Sequence, residues 1–141
     1  MRVIRWGIIG LAVAGSAAAL ALTAAQQPPA LAAAKAGLWE LDGLPGANAP
    51  LRECISDIQM LARLEHRART CTSKVISDDG HSTVVEYSCG AAGFGHSKVE
   101  VITPRSLKIS TQGISDALPF NYTLQARRIG DCALQASTTR H

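Results

Sequence analysis

The sequence predicts a mainly β protein: an antiparallel meander curled into a sandwich or a partly open barrel, with one short α-helix near residues 56–66 and an N-terminal signal helix. Three observations predict this class. Short segments rich in β-branched or alternating residues recur about every ten residues, with turn residues between them. Strands do not alternate with helices, which argues against a parallel sheet. The chain has 141 residues, room for one ordinary domain.

The N-terminal segment has the pattern of an export address. Arg2 and Arg5 precede an apolar run, and 18 of the first 25 residues are apolar with no acid among them. A basic head, an apolar middle and small residues at the end predict a secretory signal peptide over residues 1–25 and a periplasmic or secreted protein. The alternative is an uncleaved anchor in the inner membrane, because about 20 apolar residues can just span a bilayer. Residues 26–36, with two prolines, are predicted to be a linker.

Four cysteines follow this segment: Cys54, Cys71, Cys89 and Cys132. An even number in an exported chain predicts two disulfides and leaves no free thiol for catalysis. Zinc sites use close ligand pairs, whereas successive cysteines here lie 17, 18 and 43 residues apart. No metal site is therefore predicted.

A hairpin between residues 70–77 and 82–90 predicts how the cysteines pair. The Asp-Gly step that ends at Gly80 is a strong turn pattern between β-branched segments. Folding the chain about Gly80 sets Cys71 opposite Cys89 and Lys74 opposite Glu86, close enough for each pair to interact. The predicted disulfides are Cys71–Cys89 and Cys54–Cys132. Because a one-residue slip would change the register, Cys54–Cys71 with Cys89–Cys132 remains the second choice.

The remaining elements follow in order. Residues 38–41 and 51–54 are predicted strands, and the helix has Ser56 as its cap with Gln59 completing a capping box. Residues 94–103, 107–111 and 119–128 are further strands, the last alternating over eight residues. The aromatic residues expected to supply most of the core are Trp39, Phe94, Phe120 and Tyr122. The basic residues at the helix end are expected to form a solvated surface, with a docking patch for an acidic partner as the alternative: Arg63, His66, Arg67 and Arg69.

Catalytic patterns are not found in the sequence. It has no nucleophile elbow, phosphate-binding glycine loop or metalloprotease helix, so no catalytic residue, cofactor site or metal site is predicted. His81 and His96 are a candidate proton-transfer pair, although exposed loop histidines are the favoured interpretation. Phe94, in the glycine-rich stretch 90–96, is expected in the core rather than at a ligand mouth. Glutamates at positions 40, 86 and 100 alternate with apolar neighbours and are expected on the solvated face.

Charge excludes one class of partner. Beyond residue 25 the chain carries 12 basic and 11 acidic residues. A protein that binds nucleic acid by neutralising phosphates needs a larger basic excess, so no nucleic-acid partner is predicted.

Two anchor motifs give a family resemblance. The chain has Gly37-Leu38-Trp39-Glu40-Leu41 after the signal, a hairpin ending in Tyr87-Ser88-Cys89, and Arg128-Ile129-Gly130-Asp131-Cys132 near its end. Together they resemble the proteobacterial "domain of unknown function 3617" family over residues 36–132. The resemblance implies an exported, small, mostly β protein of Gram-negative bacteria with structural cysteines, and it implies no activity. The chain departs from many members in having few methionines and glycines between Trp39 and Cys54.

These observations predict a disulfide-stabilised β domain over residues 37–132 and a C-terminal tail over 133–141. The favoured function is a non-catalytic binding or envelope-associated module, its partner a small apolar ligand, a peptide strand or an envelope protein. The first alternative is a small exported hydrolase that uses His81 or His96 with a nearby acid. The second is a thiol–disulfide redox protein, which requires a labile disulfide. Membrane contact is expected only through an uncleaved signal segment.

Overall fold

The computed structural model describes residues 27–133, so the predicted signal peptide and nearly all of the C-terminal tail lie outside the described residues. Seven strands form one antiparallel sheet, and three short 3₁₀ helices accompany them. The strands are β1 (Gly37–Asp42), β2 (Leu51–Ile55), β3 (Thr72–Asp78), β4 (Ser82–Ser88), β5 (Gly93–Thr103), β6 (Ser106–Ser115) and β7 (Leu118–Gly130). The helices are η1 (Pro29–Leu31), η2 (Ile58–His66) and η3 (Gly90–Ala92). The mainly β prediction is confirmed.

The sheet has the order β2-β1-β7-β6-β5-β4-β3. Strands β3 to β7 form the predicted meander, and β1 then joins it beside β7 with β2 outside. β2 and β3 are not paired with each other, so the sheet is not closed. The structure thus has one sheet that is not closed, where the sequence predicts a sandwich or a partly open barrel. Alternating segments predict a half-buried strand, but they do not determine whether a second sheet or short helices cover the buried face.

The core lies on one face of the sheet, under η1 and η2. It is formed by alternate strand residues together with residues of the two helices: Leu31, Ala34, Trp39, Leu41, Ile55, Ile58, Leu61, Ala62, Leu64, Val85, Val99, Leu107, Ile109, Leu124 and Ala126. Part of the segment predicted as a linker therefore belongs to the core, since Leu31 is only 1% exposed. Its two prolines start a 3₁₀ turn rather than a free connection.

The helix prediction is right in position and wrong in type. η2 is a 3₁₀ helix, interrupted at Arg63, where φ is −139° and ψ is 42°. Its cap is Asp57, whose carboxylate accepts a hydrogen bond from the Gln59 main-chain N–H at 3.0 Å. The expected cap, Ser56, instead places its hydroxyl 3.9 Å from the Met60 sulfur. The two candidate caps are adjacent in sequence, so the pattern alone did not separate them.

The predicted hairpin register is confirmed. Lys74 pairs with Glu86 and Val75 with Val85 before a bulge shifts the register by one residue. The disulfides join Cys71 to Cys89 and Cys54 to Cys132, with Cα–Cα distances of 4.2 and 5.5 Å. All four cysteines are used, so the first-choice pairing holds and the second does not.

The two family-motif segments lie side by side in β1 and β7. Leu38 pairs with Gly130 and Trp39 with Arg128, across a bulge in β7 at Ile129. The Arg128 guanidinium donates to the Ala36 carbonyl at 3.0 Å and occupies the space that a side chain at Gly37 would need. The side chain of Glu40, also in β1, lies on the face of the sheet opposite the helices, which we call the open face. No helix within residues 27–133 combines the length and apolar character needed to cross a membrane.

Candidate ligand groove on the open face of the sheet

The open face of the sheet is polar, and in one half of it the charged side chains form ion pairs with one another. Glu40 accepts hydrogen bonds from Arg52 at 3.3 Å and Arg127 at 2.9 Å. Glu100 lies 3.1 Å from the Lys98 ammonium and 3.6 Å from that of Lys108. Hydrogen bonding from Arg127 holds the pKa of Glu40 below its usual range, and that from Lys98 does the same for Glu100. We call this region, together with the neighbouring Ser110, Thr123 and Gln125, the paired half.

The other half of this face forms a groove of about 860 Å³ across strands β3 to β7. Two rows of side chains, defined by the strand register, border it. The polar row is Lys74, Glu86, His96, Gln112 and Asn121, each opposite the next. The second row is Thr72, Ser88, Phe94 and Ile114, again in register; we call it the apolar row after Phe94 and Ile114 on β5 and β6. A mixed groove of this size has the dimensions and composition of a small-ligand site.

Side chains in the groove are less engaged with one another than those in the paired half. Among the described residues, the close polar contact within the groove is between His96 Nδ1 and Glu86 Oε1, which are 3.5 Å apart. The open-face hydrogen bonds formed between described side chains involve paired-half residues and do not engage the amides of Gln112 and Asn121. These amides therefore direct free donors and acceptors at solvent or at a ligand.

Glycines make the groove possible. Between the two rows, Gly95 and Gly113 line the groove, and on the core side an aromatic ring covers each of them. Tyr87 lies over Gly95, its cross-strand partner, and Phe120 lies over Gly113 in the same way. A side chain at either glycine would collide with its neighbours, so the close packing of ring on backbone requires glycine there.

His66 fixes this layer from the core side. Its ring Nε2 donates to the Ala92 carbonyl at 3.0 Å, and its Nδ1 lies 3.3 Å from the Tyr87 hydroxyl. The ring also packs edge-on against Tyr87 and tilted against Phe120. Burial raises the pKa of Tyr87 to about 12. The sequence placed His66 in an exposed basic cluster; it is instead buried, because η2 turns its last residue towards β4 and β5.

The two candidate catalytic histidines are not brought together. His81 lies in the β3–β4 turn, where its carbonyl accepts from Val101 N at 2.8 Å. Val101 is five residues along β5 from His96, a separation of roughly 16 Å for a strand. The proton-transfer pair considered from sequence is therefore not assembled.

Phe94 corrects a second expectation. It is 56% exposed and faces the groove rather than the core. It lies in phase with His96, Lys98 and Glu100, and this charged alternation was the sequence pattern that could have placed it outside. Glu40, Glu86 and Glu100 lie on the solvated face as expected.

Two of the other basic residues near η2 are paired with acids, and the third, Arg63, donates to the Arg69 carbonyl at 3.4 Å. Arg67 lies 3.2 Å from Glu53, and Arg69 lies 3.4 Å from Asp116.

Within residues 27–133, no three His, Cys, Asp or Glu side chains are grouped so as to hold a metal ion. Comparison of the chain with protein-family models, curated proteins and solved structures finds no match.

Proposed function

We propose that this protein is an exported, non-catalytic binding module and that the groove is its ligand site. The observation that carries the proposal is the contrast between the two halves of the open face. The paired half satisfies its charges within the protein, whereas the groove combines exposed Phe94 and half-buried Ile114 with the unengaged amides of Gln112 and Asn121. Side chains that are not used for internal pairing are available for recognition.

Two further observations support export and the absence of catalysis. The two disulfides fit a protein of an oxidising compartment, such as the periplasm or the extracellular space. The hydrolase alternative loses its histidine pair, because His81 lies in the β3–β4 turn and His96 lies in β5, away from that turn. We also propose membership of the "domain of unknown function 3617" family, on the resemblance of the two motif segments that form part of β1 and β7.

The site is tested by amide NMR of the full protein, purified from the periplasm of a bacterial host with both disulfides formed. Three probe sets are added separately: neutral oligosaccharides, monomeric dodecylphosphocholine and short uncharged peptides. We expect at least one set to shift the amides of Phe94, His96, Gln112 and Asn121 while leaving Gln125 in the paired half unchanged. No shift from any set, or shifts confined to other surfaces, would refute the groove as the site.

Export is tested separately by intact-mass spectrometry of the same preparation. Loss of residues 1–25 is the expected result. An uncleaved chain recovered with the membrane fraction would support the anchored alternative instead.

A further inference from the structure

We propose that the ligand of the groove is a neutral carbohydrate, with one face of a sugar ring on Phe94 and Ile114 and its hydroxyls bonded by the polar row. This inference rests on the proposed binding function and specifies its ligand class. It starts from the two rows, which present an apolar strip and a hydrogen-bonding strip side by side over the same groove. A sugar ring is amphipathic in the same sense, since its C–H face is apolar and its rim carries hydroxyls.

The apolar row is suited to a ring-shaped ligand. Phe94 is 56% exposed and lies directly opposite Ile114 on β6 and Ser88 on β4. Aromatic side chains contribute large contact area with little loss of conformational freedom, and a flat exposed ring provides a stacking surface. The small neighbours Ser88 and Gly95 leave the ring accessible from the groove.

The polar row is suited to hydroxyl groups. A hydroxyl both donates and accepts, so a sugar needs both kinds of partner. The amides of Gln112 and Asn121 each provide an acceptor oxygen and two donor hydrogens, and they are cross-strand neighbours. Glu86 adds an acceptor, and His96 adds a ring nitrogen beside it.

Charge and geometry disfavour the other ligand classes. Lys74 and Glu86 are the groove's fixed charges, one of each sign and in register with each other, so an anionic ligand gains little. A peptide strand adds to an unpaired sheet edge, and among the groove strands β3 alone is at an edge; Phe94, Ile114, Gln112 and Asn121 lie on β5 to β7, which are hydrogen-bonded on both sides. An alkyl chain would leave the hydrogen-bond donors and acceptors of the polar row without partners.

The test combines an array of neutral and sulfated oligosaccharides with calorimetric titration of the strongest neutral binder against the disulfide-bonded protein. We expect neutral sugars to bind. Phe94→Ala should weaken binding about tenfold through lost stacking. Gln112→Ala and Asn121→Ala should each weaken it about three- to tenfold through lost hydrogen bonds.

Matched controls lie outside the groove. Ile102→Ala removes an apolar side chain of β5 that is 63% exposed, and Gln125→Ala removes an amide of β7 in the paired half. Both should leave the dissociation constant within about twofold of wild type. All five side chains are partly or fully solvent-exposed, and unchanged amide spectra will show that the variants are folded.

The outcomes separate this inference from the proposed function. Groove binding of dodecylphosphocholine or peptide without sugar binding overturns the carbohydrate assignment and leaves the binding module standing. Binding of sulfated sugars alone, or neutral-sugar binding that is insensitive to the Phe94 and amide variants, also overturns it. Absence of binding by every probe overturns both proposals.

Discussion

Gly95 should be intolerant of even a methyl group. An added Cβ would meet the ring of Tyr87, with Cε1 at 2.7 Å, whereas ordinary contact begins at 3.4 Å. The ring would have to retreat by roughly 0.7 Å or more, which exceeds what a close-packed interior absorbs without strain. Its retreat would also break the hydrogen bond between the Tyr87 hydroxyl and His66, already 3.3 Å long.

The magnitude follows from these two effects. Overpacking typically costs about 1–3 kcal/mol, and a lost hydrogen bond about 1 kcal/mol. Replacing glycine by alanine in a strand returns about 0.5–1 kcal/mol of conformational entropy. We therefore expect Gly95→Ala to lower the free energy of unfolding by about 1–3 kcal/mol. Gly130→Ala is the matched control, because its Cβ would meet nothing within 4 Å, and we expect it to be neutral or slightly stabilising.

The assay is urea unfolding of the disulfide-bonded protein followed by far-ultraviolet circular dichroism. Both substitutions are also made in a Tyr87→Ala background, where the collision is removed and Gly95→Ala should cost less than about 0.5 kcal/mol. Equal stability of the two single variants would refute the steric argument. So would a Gly95→Ala penalty that persists undiminished without the Tyr87 ring.

Three other predictions test the core, the disulfides and the tyrosines. Leu31→Ala should cost about 2–5 kcal/mol in urea unfolding because Leu31 is buried, while Leu51→Ala, at an exposed position, should cost less than about 1 kcal/mol; comparable small losses would show that residues 27–36 are not part of the folded domain. Replacing both cysteines of Cys71–Cys89 by serine should cost roughly 3 kcal/mol and of Cys54–Cys132 roughly 4.5 kcal/mol in the chain-entropy model, and the reverse ranking in chemical unfolding would contradict it. Burial raises the pKa of Tyr87 and Tyr122, the two tyrosines of the chain. Absorbance at 295 nm should therefore show almost no tyrosinate at pH 10 in the folded protein, and about half of the tyrosine ionised at that pH in denaturant. A folded-state midpoint near pH 10 would count against the burial of the two hydroxyls.

Strands were predictable because the determinants of a half-buried strand are local. Alternation in residues 119–128 and the turn at Gly80 place the side chains and the register without knowledge of the whole sheet. The disulfide Cys71–Cys89 follows from that register, and Cys54–Cys132 follows by elimination. The pairing of β1 with β7 is of another kind, since nothing in either segment specifies a partner about 85 residues away.

The groove could not be predicted from the sequence for the same reason. Its polar row is contiguous only when five strands are aligned, so Gln112 and Asn121 look like ordinary exposed residues when each strand is considered alone. The aromatic character of Phe94 predicts a core position, but its phase along β5 determines where it lies. Its alternation with Gly95 and Ser97, which face the core, puts it on the opposite side.

The position of β1 beside β7 has a consequence for the order of assembly. Hairpins from β3 to β7 close over short turns. β1 can pair locally with β2, but it joins the rest of the sheet only when β7 is present, and such distant contacts form slowly. A chain delivered N-terminus first therefore holds Trp39 and Leu41 unburied until its C-terminal segment arrives. We expect acid-trapped oxidation intermediates to contain Cys71–Cys89 before Cys54–Cys132, and the opposite order would show that the sheet does not begin at the meander. The second disulfide thus marks a completed molecule.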